Sequence, residues 1–119
     1  MRLHLIQQHG NNMIIFNDNL GIKQPIIEKL KLVYDPEIPV HIYELGLVYE
    51  VKISPDGVVN VLMTLTAPGC PASDLILNSV EQRLLEIPGV KEVRVEITFD
   101  PPWDRDMMSE EAKLELGFM

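Results

Sequence analysis

Two stretches of alternating apolar and polar residues, joined by one four-residue turn, constrain this chain more than any other feature. Leu47, Tyr49, Val51 and Ile53 alternate with Glu50 and Lys52. From Val58 to Thr66, Val59, Val61, Met63 and Leu65 fall on one face and Asn60, Leu62, Thr64 and Thr66 on the other. A period of two is the mark of a half-buried strand, and Ser54-Pro55-Asp56-Gly57 between the runs has the composition of a turn. The reading is a hairpin of strands at 47–53 and 58–66, with the more apolar second strand central. A lone hairpin is barely stable in water, so the rest of the chain must cover its apolar face.

The covering elements are legible. A helix is predicted from Pro71 to Ile87, with Ile76, Leu77, Val80, Leu84 and Ile87 on one side and Asn78, Glu81, Gln82 and Glu86 opposite. Pro88-Gly89 ends it. A third strand, Val90 to Phe99, sets Val93, Val95, Ile97 and Phe99 inward and Glu92, Arg94, Glu96 and Thr98 outward. Upstream, Gln24 to Tyr34 reads as a helix with an Ile26, Ile27, Leu30, Val33 stripe. It stops at Asp35-Pro36, because a residue before proline avoids the helical region. Pro36 and Pro39 make the following segment an ordered loop. Ser109 to Leu116 reads as a short helix capped by Ser109, with Glu110 and Glu111 in its first turn and Gly117 closing it. The predicted order is α-β-β-α-β-α, an α/β (α+β) two-layer fold with a small three-stranded sheet.

Residues 1–21 read as an N-terminal extension to a domain of residues 22–119. Gln7 to Asn12 are polar without a period, and Met13 is a candidate natural start. The 119 residues, 46% of them hydrophobic, suffice for one globular core. The net charge of −8 comes with no Lys/Arg cluster, which argues against a nucleic-acid surface. No apolar run reaches the roughly 18 residues a membrane span needs. One cysteine cannot form an internal disulfide. The expectation is a cytoplasmic protein with a reduced thiol.

That cysteine, Cys70, stands in Thr64-Leu65-Thr66-Ala67-Pro68-Gly69-Cys70-Pro71, at the join between the second strand and the long helix. A thiol at the first turn of a helix meets free N–H groups and the positive end of the dipole, which favour the nucleophilic, metal-binding thiolate. Pro71 suits the first helical position. The competing reading is a buried cysteine acting as a small hydrophobe. Phosphate-binding glycine loops and a nucleophile elbow are absent. His41 is the one histidine of the domain body and reads as a loop residue rather than a base for Cys70. Asp35, Glu37 and Glu44 could join Cys70 and His41 around a metal, or simply cap loops and helix ends. Thr64 and Thr66 could bond a thiolate, sulfide or oxyanion, or be ordinary strand threonines. Trp103, after Pro102 in a polar loop, reads as a partner contact or as a lid over the core. Met107-Met108 are adaptable contacts or core.

Taken in one order, Asp35-Pro36-Glu37-Ile38-Pro39, Glu44-Leu45-Gly46-Leu47-Val48, the Thr64 to Pro71 segment, Asp100-Pro101-Pro102-Trp103, and Ser109-Glu110-Glu111-Ala112 with Leu116-Gly117 resemble the SufT/PaaD-like family of iron–sulfur cluster assembly proteins. The resemblance covers residues 24 to 117. It implies the α/β iron–sulfur-assembly domain also found at the C-terminus of NifU-type scaffolds, and a non-enzymatic role in maturing iron–sulfur proteins. The family's functional cysteine maps to Cys70, and its acidic and threonine cleft positions map to Asp35, Glu37, Glu44, Thr64 and Thr66. PaaD-type members carry a cysteine-rich tail, and carrier members a P-loop ATPase; neither is present in this sequence, so a SufT-like factor fits best. The NifU-type C-x-x-C is also missing.

The implied partners are the iron–sulfur assembly machinery and client apoproteins. No permanently bound cofactor is expected, only a transient iron–sulfur cluster touched by Cys70. One thiolate is too few for a cluster, which usually takes four, so a homodimer, a small thiol or a partner would complete it. Three alternatives stand beside this reading. One is an adaptor in which Trp103 with Pro102, the Asp35–Pro39 loop and the acidic surface bind a partner and Cys70 only packs. The second is a PaaD-like factor for an oxygenase complex. The third is a thiol enzyme passing through a sulfenic acid, for which no base or resolving cysteine is evident.

Overall fold

The computed structural model describes residues 14–35, 38–66 and 73–117. The elements among them are β1 (Ile15–Asp18), α1 (Lys23–Leu30), α2 (Ile42–Leu45), β2 (Val48–Ile53), β3 (Val58–Met63), α3 (Ser73–Leu85), β4 (Glu92–Ile97), a 3-10 turn at Arg105–Met107 and α4 (Glu110–Glu115). The expected hairpin forms. β2 and β3 pair antiparallel with Ile53 opposite Val59, and the Gly57 N–H closes the turn on the Ser54 carbonyl at 3.1 Å.

The sheet has four strands in the order β1-β2-β3-β4, not the three expected. The added strand is β1, parallel to β2, drawn from residues read as an extension. Four residues with no long alternating run carry little local strand signal; pairing with β2 supplies it. Asp18 then joins β1 to α1, because its carboxylate accepts the N–H groups of Leu20, Gly21, Ile22 and Lys23 at 2.8 to 3.2 Å. Burial is the largest single influence and pushes the Asp18 carboxyl up, but the four bonds together outweigh it and hold the pKa below its usual value.

Helices α1 and α3 lie side by side over one sheet face, joined at the surface by the Lys29–Glu86 ion pair at 2.7 Å. Between them and the sheet sit Ile26, Leu30, Ile76, Val80 and Leu84 against Val51, Ile53, Val59, Val61 and Met63, all buried. The opposite face carries Glu50, Lys52, Asn60, Leu62, Arg94 and Glu96 around a shallow open depression. Met108 is fully buried and belongs to the core.

Two inward assignments fail for local reasons. The β2–β3 register shifts between Val48 and Glu50, so Tyr49 is a bulge residue set off the core face and only half-buried. Phe99 is 39% exposed, since β4 ends at Ile97 and the chain turns away after the Thr98 N–H bonds to the Met63 carbonyl. β3 likewise ends at Met63, so Thr64 and Thr66 lie beyond the strand. Residues 71–72, read as the start of the long helix, lie outside the described residues.

Candidate functional site

The site is built around the segment from His41 to Leu47. His41 is extended at φ −74° and ψ 160°, and its Nδ1 accepts the Glu44 N–H at 3.2 Å, capping α2. Burial, more than any nearby charge, lowers the His41 pKa and favours the neutral ring that can accept this bond. A bridge to Tyr34 and an edge-on ring contact at 5.8 Å fix the other side of His41. Gly46, left-handed at φ 77°, ends the helix.

A short helix ends with carbonyls it cannot satisfy itself. Here three distant parts of the chain receive them. The Ser109 N–H donates to the Glu44 carbonyl at 2.9 Å, and the Thr64 N–H donates to that of Leu47 at 2.8 Å. The Trp103 indole N–H donates to the carbonyl of Leu45 at 2.7 Å. Gly46 also lies so close to the Met107 carbonyl that a Cβ there would collide with it. The bulge turns Tyr49 to the same segment: its hydroxyl donates to the Pro101 carbonyl at 2.9 Å, with the Met107 sulfur 3.4 Å away. Burial raises the Tyr49 phenol above its usual pKa, so it stays a donor.

These contacts draw Glu44, Thr64 and Trp103 together. Asp35 is buried beside Tyr34, and its main-chain carbonyl accepts the Ile38 N–H at 3.4 Å. Thr64 is fully buried, its hydroxyl 3.5 Å from the Leu65 carbonyl, a weak bond at best. Thr66 is partly exposed and Pro102 exposed. Trp103 is half-buried with its ring packed on the core, as a lid is. Glu37 and Cys70 lie outside the described residues.

Among the described members of this group, Glu44 has a buried polar atom left unspent. Its Oε1 is shielded from solvent and has no hydrogen-bond partner among the described residues. The carboxylate lines a surface hollow with Lys31, Tyr34, His41, Glu111 and Glu115. Among the described residues, no group of three or more His, Cys, Asp or Glu is placed to hold a metal ion. The capping role of His41 was not anticipated, although a signal existed: His41 and Glu44 stand at the spacing of a helix cap and its third residue.

A family model described as iron-sulfur cluster assembly protein matches residues 23–97, more than half of the chain. The chain belongs to this family. Within it, an Fe-S protein maturation auxiliary factor of Porphyromonas gingivalis is 52% identical over 103 residues, 87% of this chain and 98% of that protein. The Staphylococcus aureus Fe-S protein maturation auxiliary factor SufT is 46% identical over 86 residues, covering 72% of this chain and 98% of its own length. The crystal structure of a domain of unknown function from Bacillus anthracis superposes with a TM-score of 0.75 at 37% identity, covering 79% of this chain and 90% of that one. The mixed α/β architecture matches that of this related structure. No helix among the described residues is long and apolar enough to cross a membrane.

Proposed function

We propose that this protein is a cytoplasmic, non-enzymatic maturation factor that helps deliver iron–sulfur clusters to client apoproteins. The observation that carries the proposal is the nearly full-length 52% identity with the Porphyromonas gingivalis maturation factor. The cluster is cargo rather than a resident cofactor. Cys70 is the residue that touches it, and Asp35, Glu37, Glu44, Thr64 and Thr66 form its surroundings.

The described residues support this in two ways. The segment bearing Glu44 is held at three points, Glu44, Leu45 and Leu47, by residues distant in sequence, so the acidic group is presented on a rigid support. A shielded carboxylate oxygen without a partner costs stability, and packing does not require it. Such a group has value where a cationic or metal-bearing visitor completes it.

The test is anaerobic incubation with iron and sulfide, or with a loaded donor protein, beside Cys70→Ser. Thiolate-to-iron charge-transfer absorption in the native protein alone, with client maturation lost in cells carrying Cys70→Ser, is the expected result. Full client maturation with Cys70→Ser would overturn the proposal. In that case, loss of function on Pro102→Ala with Trp103 intact favours the adaptor.

A further inference from the structure

β4 is the last strand of the sheet, and its outer edge is unpaired among the described residues. The Glu92 N–H donates to Gly57 and the Thr98 N–H to Met63, so even-numbered residues of β4 turn their backbone groups toward β3. In a parallel ladder, the N–H and C=O of Val93, Val95 and Ile97 therefore face outward. The strand has no proline, lysine or bulge within Glu92–Ile97, the devices that commonly blunt an edge.

We propose that a second copy of this chain occupies that edge, pairing β4 with β4 antiparallel about a two-fold axis at Val95. In this register Val95 faces Val95 of the partner subunit, and Val93 and Ile97 of the two copies exchange backbone bonds. Arg94 then lies directly opposite Glu96 of the partner subunit, twice by symmetry, on the open face of the sheet. These are non-hydrogen-bonded positions, where opposed side chains come closest. Arg94 already holds Glu92 at 2.7 Å and would sit between two carboxylates. Slipping the axis to residue 94 sets arginine against arginine and glutamate against glutamate; slipping it to residue 96 sets glutamate against glutamate. The charge pattern of the strand thus selects one of the registers with long overlap.

The helical layer agrees with this edge being covered. The Lys29–Glu86 pair marks the side of α3 that meets α1. Leu77, Glu81 and Leu85, spaced i, i+4, i+8, fall on the opposite flank, toward the β4 edge. Leu85 is 37% exposed there, and Leu77, Val95 and Ile97 are half-buried. An antiparallel pairing brings this flank of each α3 toward that of the other, so the same interface closes both the backbone edge and an apolar stripe. The C-terminal ends of the two β3 strands come to lie at opposite ends of the joined sheet. The pairing is therefore independent of how Cys70 is used.

The test is sedimentation equilibrium of the full chain across a concentration series, with Arg94→Glu, Glu96→Arg and the double reversal. Both sites are on exposed strand positions, and circular dichroism checks that each of the three variants is folded. The native protein is expected to be dimeric. Each single reversal should weaken the dimer by about tenfold or more, and the double reversal should restore it. Amide exchange of Val93, Val95 and Ile97 should accelerate on dilution in the native protein. A native monomer at every concentration overturns the proposal. So does a dimer that the single reversals leave untouched, or one that the double reversal fails to restore.

Discussion

The indole nitrogen of Trp103 is bonded to the main-chain carbonyl of Leu45 at 2.7 Å, across 58 residues of sequence. This bond fastens the C-terminal segment over the turn that carries Glu44. Trp103→Phe keeps an aromatic ring but removes the donor, leaving a carbonyl of a fully buried residue unpaired. A loss of about 2 kcal/mol is expected in urea denaturation. Cys70→Ser should leave the same transition nearly unchanged.

Gly46→Ala should be worse. The position is left-handed, which alone costs about 1–2 kcal/mol for a residue with a Cβ. The new methyl also meets the Met107 carbonyl, so the 3-10 turn must move. Gly21 is the control: it has a similar φ of 73° but open space around it. Thermal melts should rank Gly46→Ala well below Gly21→Ala, and equal melting points would refute the close approach.

His41 confers a pH dependence whose sign follows from its lowered pKa. The neutral ring accepts the Glu44 N–H; a protonated Nδ1 cannot. Above the ordinary value of 6.5, both folded and unfolded chains are neutral and this contribution is fully present. As the pH falls through 6.5, the unfolded chain takes up the proton first, so stability declines down to the folded pKa. His41→Asn caps the helix without titrating. Urea midpoints between pH 7.5 and 5.5 should fall more for the native protein than for His41→Asn.

Glu44→Gln separates function from stability. Removing the charge from a shielded carboxylate whose Oε1 has no partner should leave the fold as stable as before or slightly more so. Client maturation should nevertheless drop. A destabilised variant would mean the carboxylate is paired within the fold, and full maturation would remove Glu44 from the site.

Much of the fold was readable because its signals are local. The hairpin follows from the alternation on both sides of Ser54-Pro55-Asp56-Gly57, and α3 from its apolar stripe. Ser109 caps α4 as expected, its hydroxyl accepting the Ala112 N–H at 3.1 Å. The site was readable only in part. Glu44 and Thr64 stood out as residue types able to contact a metal or a thiolate, but nothing in their spacing says that one is left unpartnered and the other buried. Tyr49 was assigned inward because an alternating pattern contains no mark of a bulge.

Periodicity, turn residues and caps depend on neighbours in the chain, and by themselves they determined the hairpin and the helices over one face. The tertiary structure alone decided that Ile15–Asp18 joins the sheet, that β4 is left at its edge, and that the carbonyls of Glu44, Leu45 and Leu47 are met by Ser109, Trp103 and Thr64. Each turns on backbone groups whose partners, the Trp103 indole among them, lie far away in sequence or are not supplied by the described residues. A hydrogen-bonding group that every residue carries leaves no trace in side-chain pattern, so its partner is settled only when the chain has closed around it.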